Sequence, residues 1–176
     1  MKTLNNTIIF FLLIISLPTK NTLLILGLIP LLLISLLIRK YNKNLELTYL
    51  IFLFLSYILG FIYDLYNKIY FYDTIIHSLF GILASIYALP LLNILKKYNI
   101  KNKLFNVIFI LMLTGATAAF WEIIEFTIDK IFKSNMQISL NNTMKDIISA
   151  LLFSILYILI YIENTSKIDK LFIRKN

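Results

Sequence analysis

Apolar residues run in long blocks, and the charged residues stand between them. Charge-free stretches extend between Lys2 and Lys20, Lys20 and Arg39, Glu46 and Asp64, Asp73 and Lys96, Lys103 and Glu122, and Asp146 and Glu163. Each is long enough to cross about 30 Å of hydrocarbon at about 1.5 Å per residue, with basic ends snorkelling to the headgroups. The pattern predicts six transmembrane helices, near 4–18, 22–38, 46–66, 74–95, 104–128 and 144–163. The blocks are apolar nearly all round, so periodicity does not say which face of a helix packs inward. The predicted fold class is all-α: a polytopic membrane protein with one membrane domain over 1–176 and a basic tail over 164–176.

The connections are short. Pro18-Thr19-Lys20-Asn21 reads as a tight turn between two helices. No small-residue cleavage pair follows the run Ile8–Leu17, so residues 1–20 are expected to be retained as a span rather than removed as a signal peptide. The longest polar connection, about 129–143, is the best lid candidate. Tyr63, Tyr66, Tyr70 and Tyr72 gather where an interfacial aromatic belt is expected.

Composition narrows the class. The chain of 176 residues is 60% hydrophobic and 15% charged, against about 25% charged in soluble domains, which excludes a water-soluble enzyme. It has no Cys, which excludes disulfides, thiolate metal sites, iron–sulfur clusters and a Cys nucleophile. The net charge of +8 does not indicate nucleic acid, because no basic helix or RNA-binding signature is present. With six spans, twelve of the seventeen Lys and Arg lie on the side of both termini and five on the other. Both termini are therefore expected to be cytoplasmic, in a cell (plasma or inner) membrane.

The acids are distributed differently. Six of the nine, Asp64, Asp73, Glu122, Glu125, Asp129 and Asp146, fall at the outward ends of the third to sixth helices, together with His77, the sole histidine. Acids contribute little to topology, so topology does not account for this grouping. Asp73 and His77 are i,i+4, Glu122 and Glu125 are i,i+3, and Asp129 extends that face. At a rise of about 1.5 Å per residue, antiparallel neighbours bring His77, Glu122, Glu125 and Asp146 to one shallow layer.

Several carboxylates cannot share a low-dielectric layer as bare anions. A bound cation, shared protons or a water-filled pocket resolves the conflict. One imidazole with several carboxylates suits a single divalent ion, Zn, Mn or Fe. The expected ligands are Asp73, His77, Glu122, Glu125 and Asp146, with Glu122 or Glu125 spare as a general base. A di-iron bundle fits poorly, since its usual pattern needs Glu-x-x-His on each of two helices and the chain has one His. Each group also has an ordinary reading: Asp73 as a helix cap, Asp129 as a solvated helix end, Asp64 as a snorkelling acid, His77 as a packing residue. Glu122 and Glu125 resist such a reading because they follow the run Leu104–Trp121 at bilayer depth. Trp121, the only Trp, is read equally as an interface anchor or as a wall of the pocket.

Three blocks resemble the YjdF-like inner-membrane proteins, small polytopic proteins whose biochemical role is not established. Tyr72-Asp73-Thr74-Ile75-Ile76-His77-Ser78-Leu79-Phe80-Gly81 matches that family's Y-D-x-x-x-H-x-x-x-G element. Trp121-Glu122-Ile123-Ile124-Glu125-Phe126 is similar to its aromatic-E-[IL]-x-E-W element. Asn142-Thr143-Met144-Lys145-Asp146-Ile147-Ile148-Ser149-Ala150 is similar to its D-T-x-x-D-[LM]-x-x-[AD] element, with Asn142 in place of the leading Asp. Phe153-Ser154 stands where a Gly-Ala pair often follows. The resemblance implies six membrane helices with Asp73, His77, Glu122, Glu125 and Asp146 as the characteristic polar residues. A more remote similarity to VanZ-like proteins adds little.

Three functions remain open on the residues. The first is a metal-dependent intramembrane enzyme acting on a lipid headgroup or a polyprenyl phosphate. The second is a transporter of protons, cations or a small solute. The third is a non-catalytic scaffold whose polar cluster fastens helices. The partner common to all three is the lipid bilayer; oligomeric state is not encoded in the pattern.

Overall fold

The computed structural model describes residues 33–133 and 136–173, all helical or in short connections, with no strand among them. The predicted first span and most of the second lie outside the described residues, as does the turn at 18–21. Four helices among the described residues are long and apolar enough to cross a membrane: Lys43–Ile62, Tyr72–Ile94, Lys103–Phe132 and Leu140–Phe172. The chain divides into two compact units at Tyr70 and Phe71, and each is described by itself.

In the first unit, helix α1 covers 33–41 and α2 covers Lys43–Leu53. The predicted connection over 39–45 contracts to Asn42. Its extended backbone and side-chain oxygen, which accepts from the Asn44 and Leu45 amides at 2.7 and 3.3 Å, cap α2. Beyond Leu53 the same helix widens into a π-helix over Phe54–Ile62. Asp64, in the left-handed region at φ 61°, precedes the one-turn helix α3, Leu65–Lys68. Glu46 is fully buried and pairs with Arg39 at 3.1 Å. By sequence both are charges flanking spans.

The second unit is three long helices: α4 (Tyr72–Ile94), α5 (Lys103–Phe132) and α6 (Leu140–Phe172). They match the last three predicted spans but extend further. The side chain of Asn102 caps α5 and that of Ser139 caps α6, which moves the start of α6 from 144 to 140. The last helix also continues past 163, through non-helical Asn164, to Phe172. The connection expected over 129–143 is thereby reduced to the residues after Phe132 and before Leu140. Asp129 ties it down by accepting from the Met136 and Gln137 amides, both at 2.8 Å, which opposes a lid.

The second unit buries a mixed interior. At one end Ala88, Leu89, Leu92, Ile110, Tyr157, Ile158, Tyr161 and Ile168 form an apolar core. Here Asn106 donates to the Tyr161 hydroxyl at 3.1 Å, and the Tyr98 hydroxyl donates to both oxygens of Asp169 at 2.6 Å. Burial and the neighbouring Asp169 push the Tyr98 hydroxyl well above the usual tyrosine range, so the neutral donor form persists into alkaline solution. Tyr98→Phe should cost about 1–3 kcal/mol, as loss of a hydrogen bond to a charged group does. Thermal unfolding in detergent checks this.

Midway along the unit, Ser85, Thr114 and Ser154, one from each helix, are fully buried and bonded through their hydroxyls at 2.8–3.4 Å. Closer to the start of α4, Gly81 lies directly against the Ala150 backbone, where a Cβ would overlap the carbonyl group. Leu104, Ile108, Met112, Leu152, Ile155 and Leu159 are exposed, an apolar exterior suited to lipid. Tyr63 and Tyr70 are exposed as a belt requires, but Tyr72 is buried and is not part of one.

Candidate metal centre

Antiparallel packing brings the start of α4, the end of α5 and the start of α6 to the same end of the second unit. Four ionisable side chains meet there. Asp73 and His77, one turn apart on α4, face each other with Oδ1 and Nε2 at 3.5 Å. The same nitrogen lies 3.7 Å from Oε1 of Glu122 on α5. Ligand atoms of Asp73, His77 and Asp146 all lie within 4.8 Å of one another. His77, Glu122 and Asp146 are buried, with Asp146 1% exposed; Asp73 keeps 29% of its side chain open and marks the mouth.

The carboxylates are incompletely satisfied. Both oxygens of Glu122 and Oδ1 of Asp146 are buried without a hydrogen-bond partner. Thr143 and Gln137 stand beside the Glu122 carboxylate without closing a hydrogen bond to it; Gln137 donates instead to the Thr143 hydroxyl at 2.9 Å. Buried acceptors are rarely left unmatched, because the desolvation cost is not recovered. Three such oxygens beside an imidazole make this end of the unit a candidate site for a cation.

The remaining candidates are placed elsewhere or play other parts. Glu125 is nearly buried but accepts from the Trp121 indole N–H at 2.7 Å. Its oxygens are not among the ligand atoms that converge with Asp73, His77 and Asp146. Trp121 remains 41% exposed, and its indole N–H goes to Glu125. Asp129 fastens the connection after α5 and is not a solvated helix end. Asp73 does not cap α4, whose N-cap is Phe71. Asp64 accepts from Asn67 at 2.6 Å within the first unit.

One participant was not foreseen. Asn142 Nδ2 donates to Oδ2 of Asp73 at 3.1 Å and to Oδ2 of Asp146 at 2.6 Å. The signal was present in the spacing, since Asn142 precedes Asp146 by four residues and shares its helix face. A neutral amide simply carries no charge with which to attract notice.

The helical architecture, the apolar exterior and the largely buried Asp–His–Asp group define an integral membrane protein with a polar centre at one end of a helix bundle. The chain belongs to the family described as "Predicted membrane protein (DUF2238)", which matches residues 3–165 and is the YjdF family. No curated protein and no solved structure matches it.

Proposed function

We propose that the second unit holds one divalent ion, Zn, Mn or Fe, between Asp73, His77 and Asp146, and that this centre serves a metal-dependent reaction on a lipid-like substrate. The observation that carries the reading is the conjunction of three converging ligand atoms with buried carboxylate oxygens that lack donors. Three protein ligands with a position left open is the pattern of catalytic rather than structural sites. When bound, such an ion lowers the pKa of a water molecule or polarises a phosphoryl or acyl oxygen.

The protein's own groups divide the remaining work. Glu122 lies beside the imidazole and outside the converging trio, so its carboxylate is the group available to accept a proton. Glu125 is the weaker candidate because the Trp121 indole occupies one of its oxygens. Asp73, at the mouth, admits water and a headgroup. Six spans with both termini cytoplasmic place this mouth on the outer face of the cell membrane, a topology supported by the Lys and Arg distribution. A lipid headgroup or a polyprenyl phosphate is the substrate class that reaches a shallow site from the bilayer.

Elemental analysis of protein purified without chelator tests the reading. Close to one divalent ion per chain is expected, with loss in His77→Ala and Asp146→Asn. Wild-type protein that neither carries nor takes up a divalent ion removes the basis of the proposal. Proton or cation flux in liposomes, abolished by Asp146→Asn, would instead support transport by the same acids.

A further inference from the structure

The two contacts of Asn142 distinguish the oxygens of each aspartate. Its amide nitrogen takes Oδ2 of Asp73 on α4 and Oδ2 of Asp146 on α6. The other two oxygens are left to the centre: Asp73 Oδ1 faces His77 Nε2 at 3.5 Å, and Asp146 Oδ1 is buried without a partner. An amide nitrogen carries two hydrogens and serves both acceptors at once, whereas a hydroxyl has one and a carboxylate has none. Asn is thus the short side chain suited to bridging two carboxylates from neighbouring helices.

We infer that Asn142 is a positioning residue that sets how the centre binds its ion, an inference that rests on the cation reading above. By holding Oδ2 of both aspartates, it leaves Oδ1 of each to the centre and disfavours binding through both oxygens. The donor set is then one imidazole nitrogen and two single carboxylate oxygens, with positions open for water or substrate. Zn, Mn and Fe accept such a set. Calcium requires six to eight oxygens, commonly with a two-oxygen carboxylate, and is disfavoured. Asn142 therefore contributes to ion selectivity as well as to affinity, without touching the ion. Partners of metal ligands typically change affinity by about 10–100-fold when removed.

The test is a Co2+ titration of the purified full chain in detergent, followed by visible absorption. Cobalt reports both affinity and the arrangement of its ligands. Asn142→Leu keeps the approximate volume and removes both donors; it should weaken Co2+ binding by about 10–100-fold, shift the visible bands, and narrow the preference for Co2+ over Ca2+. Asn142→Gln keeps the amide on a longer arm and should recover part of the affinity. Asn142→Ala replaces the Leu variant if circular dichroism shows that Leu disturbs the helices. A donor-free variant with wild-type affinity and wild-type bands overturns the positioning role while leaving the cation site standing. Wild-type protein that binds no Co2+ overturns both.

Discussion

Chelator-treated Glu122→Gln protein is expected to melt above chelator-treated wild type, by about 2–16 °C. Asp146→Asn should behave alike; it removes a ligand and should not gain the further stabilisation that a divalent ion gives wild type, whereas Glu122→Gln leaves the three ligands in place and should gain it. The reason lies in the buried oxygens. Without an ion, the carboxylates of Glu122 and Asp146 are removed from water and leave three oxygens without donors, beside a third carboxylate on Asp73. An amide of the same shape cannot ionise and adds two hydrogens. Replacing buried charged groups by well-packed neutral ones of similar volume is often neutral or stabilising, by up to about 4 kcal/mol. In a chain of this size each kcal/mol moves the midpoint by about 2–4 °C.

For Asp146→Asn the ion reverses the ranking. A ligand present at about 100 times its dissociation constant stabilises by about 2.7 kcal/mol, and only protein with an intact centre receives this. The crossing of the two series separates function from fastening. Were the cluster merely a clasp between helices, both substitutions would lower the melting point with and without the ion, since each would remove interhelical contacts. Scanning calorimetry or fluorescence melting, with chelator and then with Mn2+ or Zn2+, gives the four values needed for each variant.

The same residues explain what could be read from the chain. The three long helices of the second unit were legible because their blocks are unbroken by charge, and only the ends moved. Those movements have local causes: the Ser139 cap draws α6 back to Leu140, and the helix tolerates the irregular Asn164. The convergence of Asp73, His77, Glu122 and Asp146 was legible because acids within apolar blocks are costly unless they meet a partner. Spacing then placed them at one depth. Glu125 shared both signals with Glu122, yet it bonds to Trp121 instead. A rise of 1.5 Å per residue fixes depth along an axis, not the direction a side chain takes around it.

Uncharged participants left no such trace. Asn142 bridges two aspartates, and Ser85, Thr114 and Ser154 join three helices, but short polar residues are common in membrane helices and mark no single face. In the first unit, Arg39 and Glu46 read as charges flanking two spans. The contraction of the expected connection to Asn42 brings them together, with Glu46 buried and Arg39 half-buried. That rearrangement depends on a single cap, which hydropathy does not register.

Gly81 carries the largest expected loss. Gly81→Ala should destabilise the second unit by about 2–3 kcal/mol and Gly81→Val by more, at or beyond the upper end of ordinary overpacking costs. The obstacle is the Ala150 backbone, not a side chain that can turn aside. Shortening Ala150 to Gly therefore should not rescue either substitution. Gly115 provides the contrast on α5: a Cβ there meets the Leu151 side chain at 3.5 Å, an ordinary contact, so Gly115→Ala should be tolerated within about 1 kcal/mol and gains helix propensity. The consequence of Gly81 reaches the centre. Gly81 follows His77 by four residues, and Ala150 follows Asp146 by four. Each pair shares a helix face, so the distance at which the α4 and α6 backbones touch also sets the distance between imidazole and carboxylate one turn away. Helices forced apart at Gly81 separate the ligand atoms that now lie within 4.8 Å, and no rotation of either side chain restores both. Gly81→Ala should thus lower Co2+ affinity at least about tenfold at temperatures where helical content is unchanged, whereas Gly115→Ala should leave it as it is. An unaltered ion affinity in Gly81→Ala would mean that the contact between the two backbones stabilises the bundle without setting the geometry of the centre.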